Sequence, residues 1–97
     1  MYEYLFQLRA RLEFYEALAW YGENSAQAAG NFAEAITNKL QEISEHPTLY
    51  RNTKKYFREA ILKKYPYSII YRIDEKGKLI VIVSIFHHSR KPGDKFL

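Results

Sequence analysis

The chain has 97 residues, a net charge of +4, 47% hydrophobic and 16% aromatic residues, and no Cys. That length suits one domain, 1–97, with a single core, and the lack of Cys excludes disulfides, thiol catalysis and Cys-based zinc sites. No apolar run approaches the ~20 residues of a membrane helix, and the N-terminal stretch carries charge too early for a secretory signal, so a cytoplasmic protein is expected.

Residues 2–8 alternate, with Tyr2, Tyr4, Phe6 and Leu8 on one side, and read as a short strand. A helical period then begins. Leu8, Leu12, Tyr15, Ala19 and Gly22 fall on one face, which Phe14, Leu18 and Tyr21 widen. Gly22 and Asn24 tolerate the left-handed conformation that ends many helices. Ser25 suits the N-cap of a second helix, whose stripe is Ala29, Phe32, Ile36, Leu40 and Ile43. Pro47 stops it. Two apolar-striped helices joined by about two residues form an antiparallel hairpin.

Beyond His46-Pro47 the period changes to two. Strands are expected at Tyr56–Leu62, Tyr67–Asp74 and Lys78–His88. Glu75-Lys76-Gly77 forms the last turn, with Gly77 at positive φ. Three successive strands without helices between them argue an antiparallel sheet. The expected fold is therefore α+β in two layers: an N-terminal strand, an antiparallel helix hairpin, then a three-stranded antiparallel sheet. In the middle strand Tyr67, Ile69, Tyr71 and Ile73 face the helices. Ser68, Ile70, Arg72 and Asp74 face away, on a sheet face expected to be partly polar, basic and half open.

Charge is divided along the chain. Residues 1–48 hold three basic and seven acidic residues, and residues 49–97 hold twelve basic and four acidic. The halves carry −4 and +8. A basic second half fits an acidic partner, either nucleic acid or an acidic protein segment. Lys54-Lys55 and Lys63-Lys64 flank the first strand of this half and suit phosphates or an acidic peptide; lysines there also blunt a sheet edge.

The run Phe86-His87-His88-Ser89-Arg90-Lys91-Pro92 gathers polar groups at a strand end. Adjacent His residues on a strand point to opposite faces and chelate one ion poorly, so no metal and no cofactor is expected. RNA cleavage by the 2′-hydroxyl is one chemistry these parts permit: His87 or His88 exchanges protons. Arg58, Arg72, Arg90 and the lysines hold the phosphate. A structural role for His87, His88 and Arg90 at a strand end is the other reading.

In this order, several segments resemble the RelE/ParE superfamily of toxins from bacterial type II toxin–antitoxin systems. They are Glu16-Ala17 with Trp20-Tyr21, Ala29 and Phe32, Ile43 and Pro47, the strand Tyr65–Asp74, and the closing pattern His87-x-x-Arg90-x-Pro92. The resemblance implies a toxin neutralised by a cognate antitoxin that wraps it. It implies one of two activities: RelE-like members cut mRNA on the ribosome, and ParE-like members bind and stall DNA gyrase. Where RelE-like nucleases usually carry Arg after the Tyr of the central strand, this chain has Ser68, and no Tyr follows His88. The ParE-like closing pattern is intact. The reading is thus a ParE-like gyrase-binding toxin, plasmid-stabilisation-like. Lys54, Lys55, Arg58, Lys63, Lys64, Arg72, Arg90 and Lys91 are its binding candidates, and His87 and His88 are catalytic only if the protein is a ribonuclease. A ribosome-dependent ribonuclease and a non-toxic antitoxin-binding relative are the alternatives. A dimer or a hetero-oligomer with the antitoxin is the expected assembly.

Overall fold

The computed structural model describes residues 1–96. Strand β1 (Glu3–Phe6) leads into helix α1 (Leu8–Asn24) and helix α2 (Ala26–Glu45). Four strands follow: β2 (Arg51–Lys54), β3 (Phe57–Ile61), β4 (Tyr67–Asp74) and β5 (Leu79–His87). A 3₁₀ turn, Pro92–Phe96, closes the described chain. The helix hairpin lies on one face of a single sheet of order β1-β5-β4-β3-β2. All neighbours are antiparallel except β1, which runs parallel to β5 with Glu3 opposite Leu79 and Phe6 opposite Ile82.

The α+β two-layer plan expected from the sequence is the one observed. The sheet holds five strands where three were expected, because β1 joins it beside β5 and the segment Arg51–Lys54 adds an edge strand beside β3. Its residues show no apolar alternation; backbone pairing makes this edge strand, and its exposed side chains leave no periodic signal.

Helix α2 buries Phe32, Ile36, Leu40 and Ile43, one stripe at helical spacing. Phe32 is the hub of an aromatic cluster. Its ring lies 4.8 Å from Tyr21, 5.2 Å from Tyr65 and 5.1 Å from Tyr67. Below it sit Ile69, Tyr71, Ile80, Ile82 and Ile85. The Tyr71 hydroxyl donates to the carbonyl of Pro47 at 2.7 Å, which ties the end of α2 to the sheet. Burial pushes this phenol up to about 12.

Three expectations are corrected. First, α1 turns the other way. Ala10 and Ala17 are its buried residues, with Phe14, Leu18 and Tyr21 half-buried beside them, while Leu8, Leu12, Tyr15, Ala19 and Gly22 face outward. Small alanines let the helix approach the sheet closely, and Phe14, Leu18 and Tyr21 pack beside them against the core. Second, no glycine among the described residues has positive φ. Lys78 takes that conformation in the β4–β5 turn (φ 50) and Lys55 in the β2–β3 turn (φ 52). Gly77 instead donates its N–H to Asp74 Oδ1 at 3.3 Å. The hairpin of helices turns on Ser25 in an extended conformation, its hydroxyl accepting from the Ala28 N–H at 3.0 Å as the expected N-cap. Third, the far face of the sheet is not an open basic surface. Ile70, Val83 and Phe86 form a small second core there, with Phe57 and Phe96 packed on it. The 3₁₀ turn folds back to deliver Phe96, 5.2 Å from Phe57.

Candidate functional site

Strand β5 carries an irregularity that organises the site. Ile70 pairs with Ser84 but Tyr71 pairs with Ile82, so Val83 is an extra residue in β5. Such a bulge breaks the local ladder and re-aims its neighbours. Glu13 of α1 fills the gap. Its Oε1 accepts from the Ile85 N–H at 3.0 Å and from the Ser84 hydroxyl at 2.7 Å. Its Oε2 accepts from Arg9 Nε at 3.2 Å and from Arg90 Nη1. Arg9 reaches onward through Nη2 to the carbonyl of Asp94. One nearly buried carboxylate thus joins α1, the β5 bulge and the C-terminal segment. The Arg90 guanidinium also lies over the Phe86 ring, 5.1 Å from its centroid.

Beside this network opens a groove of about 640 Å³ between α1 and the ends of β4 and β5. Arg9, Glu16, Trp20, Tyr67, His87 and Arg90 are among its walls. The His87 ring packs edge-on against Tyr67 at 4.9 Å. Its Nδ1 accepts from the Ser89 N–H at 3.0 Å, which places any ring proton of the neutral form on Nε2.

His88 points to the opposite face, as the strand period requires. Its Nε2 lies 2.8 Å from the Ser68 hydroxyl. Close by, the buried Glu59 pairs with Lys95 at 3.0 Å. Burial pushes the Glu59 carboxyl up, but the Ser68 hydroxyl and the Lys95 ammonium more than offset it and hold the group below its ordinary 4.5. A carboxyl depressed by folding stabilises the fold above its unfolded pKa, and that contribution is lost as pH falls through the folded value. The melting-temperature gap between wild type and Glu59→Gln is therefore expected to be widest near neutral pH and to shrink progressively below about pH 4.5. Thermal melts from pH 3 to 7 measure it; a gap that grows on acidification contradicts the assignment.

The remaining candidates scatter. Arg58 Nη1 donates to the carbonyls of Tyr50 (2.7 Å) and Thr48 (3.4 Å), bracing the loop after α2. Lys63 and Lys64 line a second cavity of about 270 Å³ with Lys39 and Glu42. Lys54 Nζ sits 5.4 Å from the Phe96 ring centroid, and Lys55 is exposed in the next turn. Arg72 is half-buried in β4, opposite Phe57 and Val81, and Lys91 is exposed before the 3₁₀ turn. Of these candidates, His87 and Arg90 share the groove beside Glu13, and Lys63 and Lys64 share the second cavity. Sequence reasoning did not find Glu13, Arg9, Glu59 or Lys95. One signal was present: Ser84 is the sole polar residue in the run Leu79–Phe86, and a buried hydroxyl needs a partner.

With this geometry in hand, comparison with known proteins is informative. The profile of the ParE toxin of type II toxin–antitoxin system, parDE, matches residues 4–92. A structure of the chromosomal ParDE toxin–antitoxin system from P. aeruginosa aligns with a TM-score of 0.75 at 16% identity, over 90% of this chain and 96% of that one. The isolated E. coli RelE toxin aligns with a TM-score of 0.62 at 16% identity, over 97% of this chain and 92% of that one. The intact E. coli RelBE toxin–antitoxin complex gives 0.63 at 17% identity, over 93% and 100%. At such identities these likenesses speak for the fold. A search of curated protein sequences finds no match.

Proposed function

The chain belongs to the family of ParE toxins of type II toxin–antitoxin systems, and we propose that it arrests growth in the cytoplasm by binding DNA gyrase, held in check by a cognate antitoxin. The observation that carries this reading is the dispersal of the groups a ribonuclease would need to bring together. Cleavage at a phosphodiester requires an acid, a base and cations within contact of one phosphate. Here His87 and His88 lie on opposite faces of the sheet. Arg58 and Arg90 are committed to internal partners. The far face of the sheet, where an RNA strand could lie, is filled by Ile70, Val83 and Phe86 beneath Phe96. These features suit a surface that binds rather than a centre that cleaves.

Lys54, Lys55, Lys63, Lys64 and Lys91 are exposed and are the residues proposed to meet the acidic partner, whether target or antitoxin. Arg72, half-buried, is proposed to act beside them.

The test is pulse labelling after induction in a bacterial host without antitoxin. Thymidine incorporation is expected to fall within minutes, ahead of methionine incorporation. The His87→Ala/His88→Ala double variant is expected to remain as toxic as its parent. An early fall in methionine incorporation that the double variant abolishes would replace the gyrase reading with a ribosome-dependent ribonuclease. Soluble protein that changes neither label would identify a non-toxic family member.

A further inference from the structure

The charges that line the groove beside Glu13 differ in what already answers them. Both guanidiniums at one end are taken up inside the protein. Arg9 and Arg90 share the Glu13 carboxylate, Arg9 reaches the Asp94 carbonyl, and Arg90 lies over the Phe86 ring. Glu16, about one turn further along α1, also lines the groove and is exposed. Its carboxylate has no hydrogen-bond or ion-pair partner among the described residues.

Aromatic groups surround that carboxylate. Trp20 follows Glu16 by four positions, so the two side chains are neighbours on the helix surface. The indole is 66% exposed and meets Tyr21 edge to face, with ring centroids 5.0 Å apart. Tyr67 forms the opposite wall from β4. Burial pushes its phenol up, and Tyr21, Glu16 and Glu13, which face it, push it further. The Tyr67 hydroxyl has no hydrogen-bond partner among the described residues.

An unanswered carboxylate, an open indole and a phenol oxygen together suit a cation. The carboxylate supplies the charge, the indole face adds its quadrupole, and the phenol oxygen accepts an N–H. A guanidinium fits better than an ammonium. It stacks flat on the indole while its edge turns paired N–H groups to the carboxylate.

We propose that this end of the groove receives an arginine side chain of a protein partner, held between Glu16 and Trp20 beside Tyr67. The proposal rests on the reading of this chain as one that acts by binding proteins. The partner's acidic residues go to the lysines of the second half of the chain and its arginine comes here. Two contacts of opposite sign fix the direction in which the partner lies.

Trp20 is the only Trp in the chain, so its fluorescence, excited beyond the tyrosine band, reports on this groove. The probe is the acetylated and amidated peptide Ala-Arg-Ala, titrated at pH 8 and constant ionic strength. A saturable change is expected with a Kd on the order of 1–10 mM. The Ala-Lys-Ala peptide is expected to bind several-fold more weakly, and Ala-Glu-Ala to give no saturable change. The net charge of +4 opposes any general gathering of cations. Glu16→Gln is expected to weaken the Arg peptide at least ~5-fold and Tyr67→Phe about 2–3-fold. Glu34→Gln makes the same change in net charge on an exposed position of α2 outside the groove, and is expected to leave binding unchanged. All three replacements keep the size of the side chain, and circular dichroism checks the fold. No saturable response to the Arg peptide would overturn the proposal. So would a Lys peptide that binds as tightly, or equal losses from Glu16→Gln and Glu34→Gln. Tighter binding of the Glu peptide would overturn it in favour of an anion at Arg9 and Arg90. The titration involves neither gyrase nor antitoxin. Its failure leaves the pulse-labelling result standing, and an early fall in methionine incorporation overturns the gyrase reading without touching the groove.

Discussion

Phe32→Ala is expected to lower the unfolding free energy by about 4 kcal/mol, the range for removing a fully enclosed aromatic ring. Phe32 has no exposed surface and is touched by rings from α1, from the β3–β4 loop and from β4. No single neighbour can move to close the cavity, because each is held by a different element. For a chain of this length 1 kcal/mol moves the melting temperature by roughly 4–8 °C, so a drop of about 20 °C is expected. That is a large share of the total stability of such a domain. The comparison is Trp20→Ala, whose ring is 66% exposed and whose removal is expected to cost under about 1 kcal/mol. Melts of the two variants side by side decide it. A Phe32 variant melting within a few degrees of wild type would mean that the aromatic cluster does not hold the helix layer on the sheet.

Glu13→Ala is expected to cost about 3 kcal/mol. The loss is not one ion pair at the surface. Two buried donors, the Ser84 hydroxyl and the Ile85 N–H, lose their acceptor, and two arginines lose the anion they share. Arg9 and Arg90 keep part of their surface in water, at 24% and 37% side-chain exposure, which limits the electrostatic share. Glu13→Gln separates the contributions. Its amide oxygen can still accept from Ser84 and Ile85, so it is expected to lose only about 1–2 kcal/mol. Both variants are expected to speed amide exchange across residues 92–96, because Arg9 links Glu13 to the carbonyl of Asp94. Exchange confined to α1 and β5 would show that the C-terminal turn is held by Lys95 and Phe96 alone.

The helices show where a sequence informs and where it falls silent. Helix α2 has one apolar stripe, and a helix with one such stripe has one face to bury; Phe32, Ile36, Leu40 and Ile43 went where their spacing said. Helix α1 has two. Leu8, Leu12, Tyr15 and Ala19 form a helical stripe, and so do Ala10, Phe14, Ala17 and Tyr21. Periodicity gives both equal standing. The choice falls to the shape of the sheet, which admits the alanines close to β5 and the Phe14 and Tyr21 rings beside Phe32. The central hairpin was legible because β4 and β5 are consecutive and rich in Ile, Val and Tyr. The parallel pairing of β1 with β5 joins residues more than seventy positions apart, and no local pattern encodes it.

The candidate site divides in the same way. Local pattern determined that His87 and His88 would point to opposite faces, that Tyr67, Ile69 and Tyr71 would meet the helices, and that positive charge would gather in the second half of the chain. The order of segments was enough to place the chain in its toxin family. The tertiary structure alone decided which cations are free to meet a partner. Arg90 is a surface residue by sequence and a half-buried, ion-paired one by structure, because Glu13, seventy-seven positions earlier, stands beside it. The sheet face read as basic and open is closed because Phe96 folds back over Ile70 and Phe86. Side-chain period depends on backbone geometry, which repeats every two or 3.6 residues and so can be read locally. The partner of a charge or the cover of a face depends on which distant segments meet, and that follows only when the whole chain has packed.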